Sequence, residues 1–317
     1  MRCHKMVGSR IKYSRNENLT ILYGVIIMKA RLFQMLFLFT GVILLWSFLW
    51  PTVEYAKEAP PTKAKGHAPA VLTYHHIDES DQSSATITPE LLRSHLVMLK
   101  ENGYNVIGME ALLEAHKQNK SLPSKSVVLT FDDGYESFYT HAAPLLKEFG
   151  MTATNFVVVE STDQKNPNEL PHLSWDQMRE LEQQGMTFYS HTYDSHQKIP
   201  TDTNNRSGPA LTSRKYLKEE GRLETYKEYH QRIKADISLA NQRLVEELGE
   251  QPALLAFPYG AYDETVLDIS RSLDIELMFA ANEGEYIPGS KLLYRMNAGT
   301  PSMSAEDLAI KLKNHFR

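Results

Sequence analysis

From residue 70 onward the apolar positions follow two rhythms in turn. Short continuous runs at 70–74, 104–107, 126–131, 152–159, 186–190, 253–257, 276–280 and 292–296 read as strands buried on both faces. Between them apolar residues recur at helical spacing, as in Leu91, Leu92, His95, Leu96 and Leu99, or Ile233, Ile237, Leu244 and Leu248. This spacing predicts helices over 89–102, 109–119, 137–149, 174–184, 226–248, 265–273 and 304–314. Thr88, Ser174 and Ser304 stand where N-caps belong, and Gly103, Gly150 and Gly185 where helices stop. Pro144 interrupts the third helix pattern. Residues 197–223 are polar and rich in Pro, Gly, Asn and Lys, which predicts a long exposed loop. Alternating strands and helices imply an α/β fold with a parallel sheet or barrel.

The N-terminal part follows neither rhythm. Residues 32–50 form an almost unbroken apolar run, preceded by Lys29 and Arg31 and, further back, by Arg10, Lys12 and Arg15. A bilayer takes about 20 apolar residues, and basic flanks orient such a run with its N-terminus in the cytoplasm. The segment is expected to be a transmembrane anchor or a signal segment, and the lack of a clean small-x-small cleavage site after it favours the uncleaved anchor. Residues 1–31 form a basic leader, within which Met28, followed by Lys-Ala-Arg, is the expected start. Residues 51–69, rich in Pro, Ala, Lys and Glu, read as a linker. Either reading of the apolar run places residues 70–317 outside the cytoplasm, anchored or secreted.

Composition narrows this little. The 317 residues are 42% apolar and 23% charged, as in a globular protein. A net charge of −5 gives no reason to expect nucleic-acid binding. The single cysteine, Cys3, excludes an intramolecular disulfide.

Candidate chemistry lies where the strand patterns end. Thr130-Phe131-Asp132-Asp133-Gly134-Tyr135 closes one strand, Ser190-His191-Thr192-Tyr193-Asp194-Ser195-His196 another, and Phe257-Pro258-Tyr259-Gly260 a third. In a (β/α) barrel the C-terminal strand ends share one face, and that face carries the active site. His191 and His196 are five apart, off a common helix face, but a loop leaving a strand can aim both at one centre. With one Asp they form a two-His, one-carboxylate set suited to a divalent metal, zinc first, with cobalt, nickel or iron as alternatives. Adjacent Asp residues on a strand point opposite ways, which lets one bind metal while the other acts as general base.

Together these ordered motifs resemble the polysaccharide deacetylase family (NodB-homology domain, carbohydrate esterase family 4) over roughly residues 70–300. The resemblance implies a distorted (β/α)7 barrel and metal-dependent removal of N-acetyl groups from an amino-sugar polymer. By motif position it implies Asp132 as the base, Asp133, His191 and His196 as metal ligands, and Tyr259 as donor of a backbone N–H to the oxyanion. The histidine spacing of five, with Tyr74-His75-His76-Ile77 near the domain start, is similar to the poly-β-1,6-N-acetylglucosamine deacetylases of biofilm matrices. His75, His76, Tyr135, Pro258 and Tyr193 are the expected substrate contacts. The family's arginine before the proline of the third motif is missing, since Ala256-Phe257 stand there. Orientation of the base is therefore either unsupported or transferred to another residue. No late histidine is evident as general acid, and none is assigned. Three alternatives stay open: a β-1,4 deacetylase of peptidoglycan or chitin, a membrane-tethered carbohydrate-binding protein without catalysis, and a structural metal site in a wall protein.

Overall fold

Long apolar runs bounded by turn residues fold here as parallel strands buried on both faces. The computed structural model describes residues 68–317, apart from 81, 82, 205, 285 and 288. The leader, the apolar run at 32–50 and most of the linker lie outside the described residues. Among the described residues no helix is long and apolar enough to cross a membrane.

In chain order the elements are β1 (Ala70–Tyr74), β2 (His76–Ile77), β3 (Thr86–Ile87), α1 (Pro89–Glu101), β4 (Asn105–Val106), α2 (Met109–Lys117) and β5 (Ser126–Asp133). A π-helical turn, Phe138–Ala142, leads into α3 (Ala143–Phe149), followed by β6 (Thr154–Val157), α4 (Val159–Asp163), α5 (Trp175–Glu182) and β7 (Thr187–Ser190). Next come β8 (Lys198–Pro200), β9 (Ser207–Pro209), β10 (Tyr216–Leu217), β11 (Arg222–Leu223) and the long α6 (Tyr226–Leu248). The chain ends with β12 (Leu254–Ala256), α7 (Glu264–Ser272), β13 (Leu277–Ala280), β14 (Leu292–Tyr294), β15 (Met296–Asn297) and α8 (Ala305–His315).

One nine-stranded sheet runs in the order β14-β13-β12-β7-β6-β5-β1-β15, with β4 beside β5. Every pairing in it is parallel. Its two ends, β14 and β15, are successive parts of one stretch. That stretch pairs with β13 through Met278↔Leu292 and with β1 through Leu72↔Met296, so the sheet curls into a nearly closed barrel. The residue at the changeover is Arg295. The sparsest seam joins β7 to β12 through the single pair Leu255↔Ser190.

Strand alternation sorts the core into an inside and an outside. Val71, Val128, Phe156, Tyr189, Leu254, Ala256, Leu277, Phe279 and Leu293 form one buried cluster, joined by Met109, Leu112 and Leu113 of α2. Leu72, Leu129, Phe131 and Phe188 pack instead with Leu92, Leu96 and Leu99 of α1, Met178 and Leu181 of α5, and Leu308 and Leu312 of α8. Leu255, Phe257 and Met278 pack with Ile233 and Ile237 of α6 and with Val266 and Ile269 of α7. Each such fully buried side chain contributes about 1.5–3 kcal/mol. Truncating Ile237 to Ala leaves a cavity between helix and barrel, at about 2–5 kcal/mol.

The caps hold the helices to the boundaries read from the sequence. Thr88 accepts from Leu91 N, Ser174 and Thr225 form full capping boxes, and Ser304 accepts from Asp307 N. Pro144 sits in the first turn of α3, where its missing N–H costs nothing, and the π-helical turn precedes it. Several expectations change. The strand read as 152–159 ends at Val157, and Val159 opens α4. The strand read as 292–296 is split into β14 and β15. The strand read as 126–131 continues through both aspartates to Asp133. The loop expected at 197–223 contains two antiparallel hairpins, β8–β9 and β10–β11, with Ile199, Ala210 and Leu211 buried beneath them. Composition reported its polar surface and missed these few apolar anchors.

Candidate active site

Three strand ends meet at the barrel mouth. β5 delivers Asp132 and Asp133, β7 leads into His191, and β12 leads into the Pro258–Gly260 turn. Asp133, Thr192 and Tyr259 have φ of 73°, 73° and 57°, half of the six described non-glycine residues in that region. Each costs of order 1–3 kcal/mol, and such strain collects where a structure must aim a side chain. Gly134 (φ 76°) and Gly260 (φ 65°) are required as glycines. A Cβ there would come within 3.0 Å of Val157 Cγ1 and 2.7 Å of Ala281 Cβ, respectively.

The change of backbone hand at Asp133 separates the two carboxylates. Asp132 accepts two hydrogen bonds from Arg295, Nη1 to Oδ1 and Nη2 to Oδ2, both 2.7 Å. The guanidinium is fully buried and donates further to Ala280 O (3.2 Å) and Thr130 Oγ1 (3.3 Å). It also lies 5.5 Å from the Phe156 ring centroid. Burial pushes the Asp132 pKa up, but the charge of the Arg295 guanidinium beside it and the hydrogen bonds it donates outweigh that effect. The carboxyl is held well below the usual range and stays ionised.

Asp133 faces the histidines. Its Oδ1 lies 3.5 Å from His191 Nε2 and 3.2 Å from His196 Nε2. His191 Nδ1 donates to Ala256 O at 2.9 Å, which leaves Nε2 as the lone-pair nitrogen. Burial lowers the His191 pKa to about 3 and that of His196 in the same direction, so both rings are neutral. Burial, with a contribution from Asp132, raises Asp133 to about 6. Three acceptor atoms therefore converge within 4.8 Å of one another, and Asp133 Oδ1 has no hydrogen-bond donor. A buried convergence of acceptors fits a cation, and the donor set suits zinc or a similar divalent ion.

The histidine loop is pinned from several sides. Thr192 N donates to Ser190 Oγ (3.0 Å), and Val159 N and Glu160 N donate to Thr192 O and Tyr193 O. Asp236, on α6, accepts from Tyr193 N (3.2 Å) and Asp194 N (2.8 Å) with its two oxygens. The Tyr259 ring stacks on His196 at 4.6 Å, and its hydroxyl donates to His196 O.

The other expected residues divide. His75 lies close enough to the aspartates to lower both pKa values, and its Nδ1 is buried without a partner. His76 Nδ1 bonds Ser137 Oγ at 2.8 Å, and its ring packs at 5.0 Å on Tyr135, which stacks in turn on His172. Pro258 is buried in its turn. Tyr193 packs against the outer core and bonds Asp163, which also receives Trp175 Nε1 (3.0 Å) and Arg243. Tyr193 and Trp175 thus brace the loop from behind.

Sequence reading missed Arg295 and Asp236 as site residues. Arg295 left one signal, a lone cation inside the apolar run Leu292-Leu293-Tyr294-Arg295-Met296. Asp236 left only an acid between Ile233 and Ile237 on a helix.

Comparison with known proteins gives this arrangement a family context. The model of the polysaccharide deacetylase family matches residues 119–278. The poly-β-1,6-N-acetyl-D-glucosamine N-deacetylase of Escherichia coli K12 is 29% identical over 226 residues, 67% of this chain and 34% of that protein. The chain thus spans about a third of that relative's length. The protein of the same name from Staphylococcus aureus MRSA252 is 23% identical over 259 residues, covering 76% of this chain and 82% of the relative. Among solved structures, a de-N-acetylase from Aggregatibacter actinomycetemcomitans superposes with a TM-score of 0.68 at 28% identity, covering 78% of this chain and 99% of the other.

Proposed function

The chain belongs to the polysaccharide deacetylase family, and from that premise we propose that it is a metal-dependent hydrolase removing N-acetyl groups from an extracellular amino-sugar polymer, poly-β-1,6-N-acetylglucosamine. The observation that carries this reading is the pairing of two carboxylates turned to different partners at one barrel mouth. Asp132 is clamped and ionised by Arg295, and Asp133 is turned to two neutral histidines.

In this reading Asp133, His191 and His196 hold one divalent ion, zinc. When bound, the ion supplies Lewis-acid polarisation of the amide carbonyl and of water. The chain's own residues supply the rest. Asp132 accepts the proton of the water that attacks the acetyl carbon. Arg295 fixes both Asp132 oxygens and keeps that carboxylate ionised between turnovers. The Tyr259 N–H donates to the carbonyl oxygen as it becomes negative, and the Gly260 turn presents that N–H. Collapse of the tetrahedral carbon breaks the C–N bond as the proton taken up by Asp132 passes to the leaving nitrogen, releasing acetate and a free amine on the sugar. The task of the family's absent arginine falls to Arg295, from the strand that closes the ring.

The ring is read as the distorted (β/α)7 barrel of the NodB type, with residues 70–317 as the catalytic domain. Residues 51–69 serve as linker, and 32–50 as anchor or signal segment placing the domain outside the cytoplasm. The β-1,6 linkage is supported by the histidine spacing and by the names of the relatives. Acetate release from β-1,6-linked N-acetylglucosamine oligomers by the zinc-loaded protein, with β-1,4 oligomers in parallel, tests the reading. Release from the β-1,6 series alone is expected. Release from the β-1,4 series alone moves the substrate to wall or chitin polymers, and release from neither, with zinc bound, removes the enzymatic reading.

A further inference from the structure

The strand that leads into the histidine loop is held unequally on its two sides. β7 pairs with β6 through four residues, Thr187 to Ser190, and with β12 through the one pair Leu255↔Ser190. His191 N still donates to Val157 O at 2.8 Å, and Thr192 then takes a φ of 73°. A loop that aims two imidazoles at Asp133 from such an edge needs support from outside the sheet.

The outer layer supplies it through α4. This helix is five residues long and meets the loop with its first N–H groups. Val159 N donates to Thr192 O (3.2 Å) and Glu160 N to Tyr193 O (3.0 Å). So short a helix has too few internal bonds to fix its own place. Its last residue, Asp163, ties it down. Arg243 of α6 donates to both carboxylate oxygens, Nε to Oδ2 and Nη2 to Oδ1, each at 2.9 Å. Trp175 Nε1 of α5 donates to Oδ1 at 3.0 Å. The pair is largely buried, with 15% of the Asp163 side chain and 25% of the Arg243 side chain exposed.

The guanidinium is itself aimed. Glu246 and Glu247, three and four residues further along α6, accept from Nη1 (2.6 Å) and Nη2 (2.7 Å). The group also lies 5.6 Å from the Trp175 ring centroid. Helix geometry explains the positions, because Asp236 and Arg243 are seven apart and share one face of α6. Asp236 holds the Tyr193 and Asp194 N–H groups directly, and Arg243 reaches the same loop through α4.

We propose that Asp163 and Arg243 are positioning residues of the histidine loop, a clamp in the helix layer that makes up for the sparse β7–β12 seam. Neither belongs to the Asp133, His191 and His196 set. They act on it by fixing α4, and α4 fixes the Thr192 and Tyr193 carbonyls between the two histidines. The inference rests on the proposed reading in taking those three residues as the zinc ligands.

Zinc affinity of the full-length protein, measured by competition with a chromophoric chelator, tests the clamp, with urea midpoints in parallel. Arg243→Met keeps an apolar stem without the fork, and Asp163→Asn keeps the shape of the carboxylate without its charge. Each is expected to weaken zinc about 10–100-fold. The double variant should be no weaker than the more impaired single one, because both break one connection. Arg243→Lys should regain part of the affinity. Should Arg243→Met fail to fold, Asp163→Asn and Arg243→Lys decide. Unaltered zinc affinity in the folded variants, with or without a lowered urea midpoint, overturns the clamp and assigns the pair to folding. If the parent binds no zinc, the metal reading fails, and the clamp is decided by amide hydrogen exchange at Thr192, Tyr193 and Asp194. Exchange about tenfold faster in Asp163→Asn supports it; equal rates overturn it.

Discussion

Arg295 and Asp132 face each other as a bidentate pair, two hydrogen bonds of 2.7 Å between residues 163 apart in the chain. The pair joins the strand that closes the barrel to the strand that carries the chemistry. It constrains the carboxylate in direction and in charge.

Removing one partner of a buried pair strands the other, at about 3–5 kcal/mol. Arg295→Ala should therefore lower the urea midpoint sharply as well as activity. Arg295→Lys keeps a charge but loses the planar fork. It should recover part of the stability while kcat stays low. Asp132→Asn should lower kcat by about 10²–10⁴-fold with zinc still bound. Undiminished turnover in Asp132→Asn would refute its role as base.

Metal affinity should depend on pH through Asp133. Its pKa of about 6 in the metal-free site means that protons compete with the ion below that value. Zinc titrations between pH 7.5 and 5 should show weakening as the pH falls through about 6. His191→Ala should abolish stoichiometric binding, and a fully metallated variant would exclude His191 as a ligand.

Stability of the metal-free protein should carry two opposing pH terms. His191 titrates near 3 when folded and near 6.5 when unfolded. As the pH falls below about 6.5 only the unfolded chain gains that proton, so stability is lost. Asp133 has the opposite sign: between about 6 and 4 the folded state holds a proton that the unfolded chain releases, so stability rises as the pH falls. In the parent these partly cancel. Asp133→Asn removes the compensating term and should show the steeper loss of urea stability between pH 7 and 4.5. Equal slopes in parent and variant would contradict the assignment.

Asp236 should act on the metal site without touching it. Its carboxylate holds the Tyr193 and Asp194 N–H groups, and burial raises its pKa despite those bonds. Supporting groups of this kind are worth about 10–100-fold in metal affinity. Asp236→Ala should weaken zinc by that order, and Asp236→Asn, which keeps one acceptor oxygen, should restore part of it. Unaltered zinc affinity in Asp236→Ala would assign the residue to folding alone.

Some of the site was legible in the chain because its residues carry local signatures. The Asp pair ends an apolar run before Gly134, His191 and His196 flank a loop leaving a strand, and the Pro258-Tyr259-Gly260 turn breaks another. Arg295 was harder to read, since its partner lies across the barrel. Tyr193, expected as a substrate contact, packs against the core and bonds Asp163, a direction its motif position does not encode. The 197–223 hairpins were hidden by composition, since a few buried residues suffice to anchor a polar segment.

By itself the sequence determined the alternation of the main strands and helices, the caps Thr88, Ser174 and Ser304, and the placement of three polar motifs at strand ends. Those are properties of spacing and local backbone preference, which act within a few residues. The tertiary structure alone decided that the last strand splits at Arg295 and nearly closes the ring, that this arginine meets Asp132, and that Asp236 holds the histidine loop. Such relationships depend on which distant segments pack together, and hydrophobic periodicity records that a face is buried without recording against what.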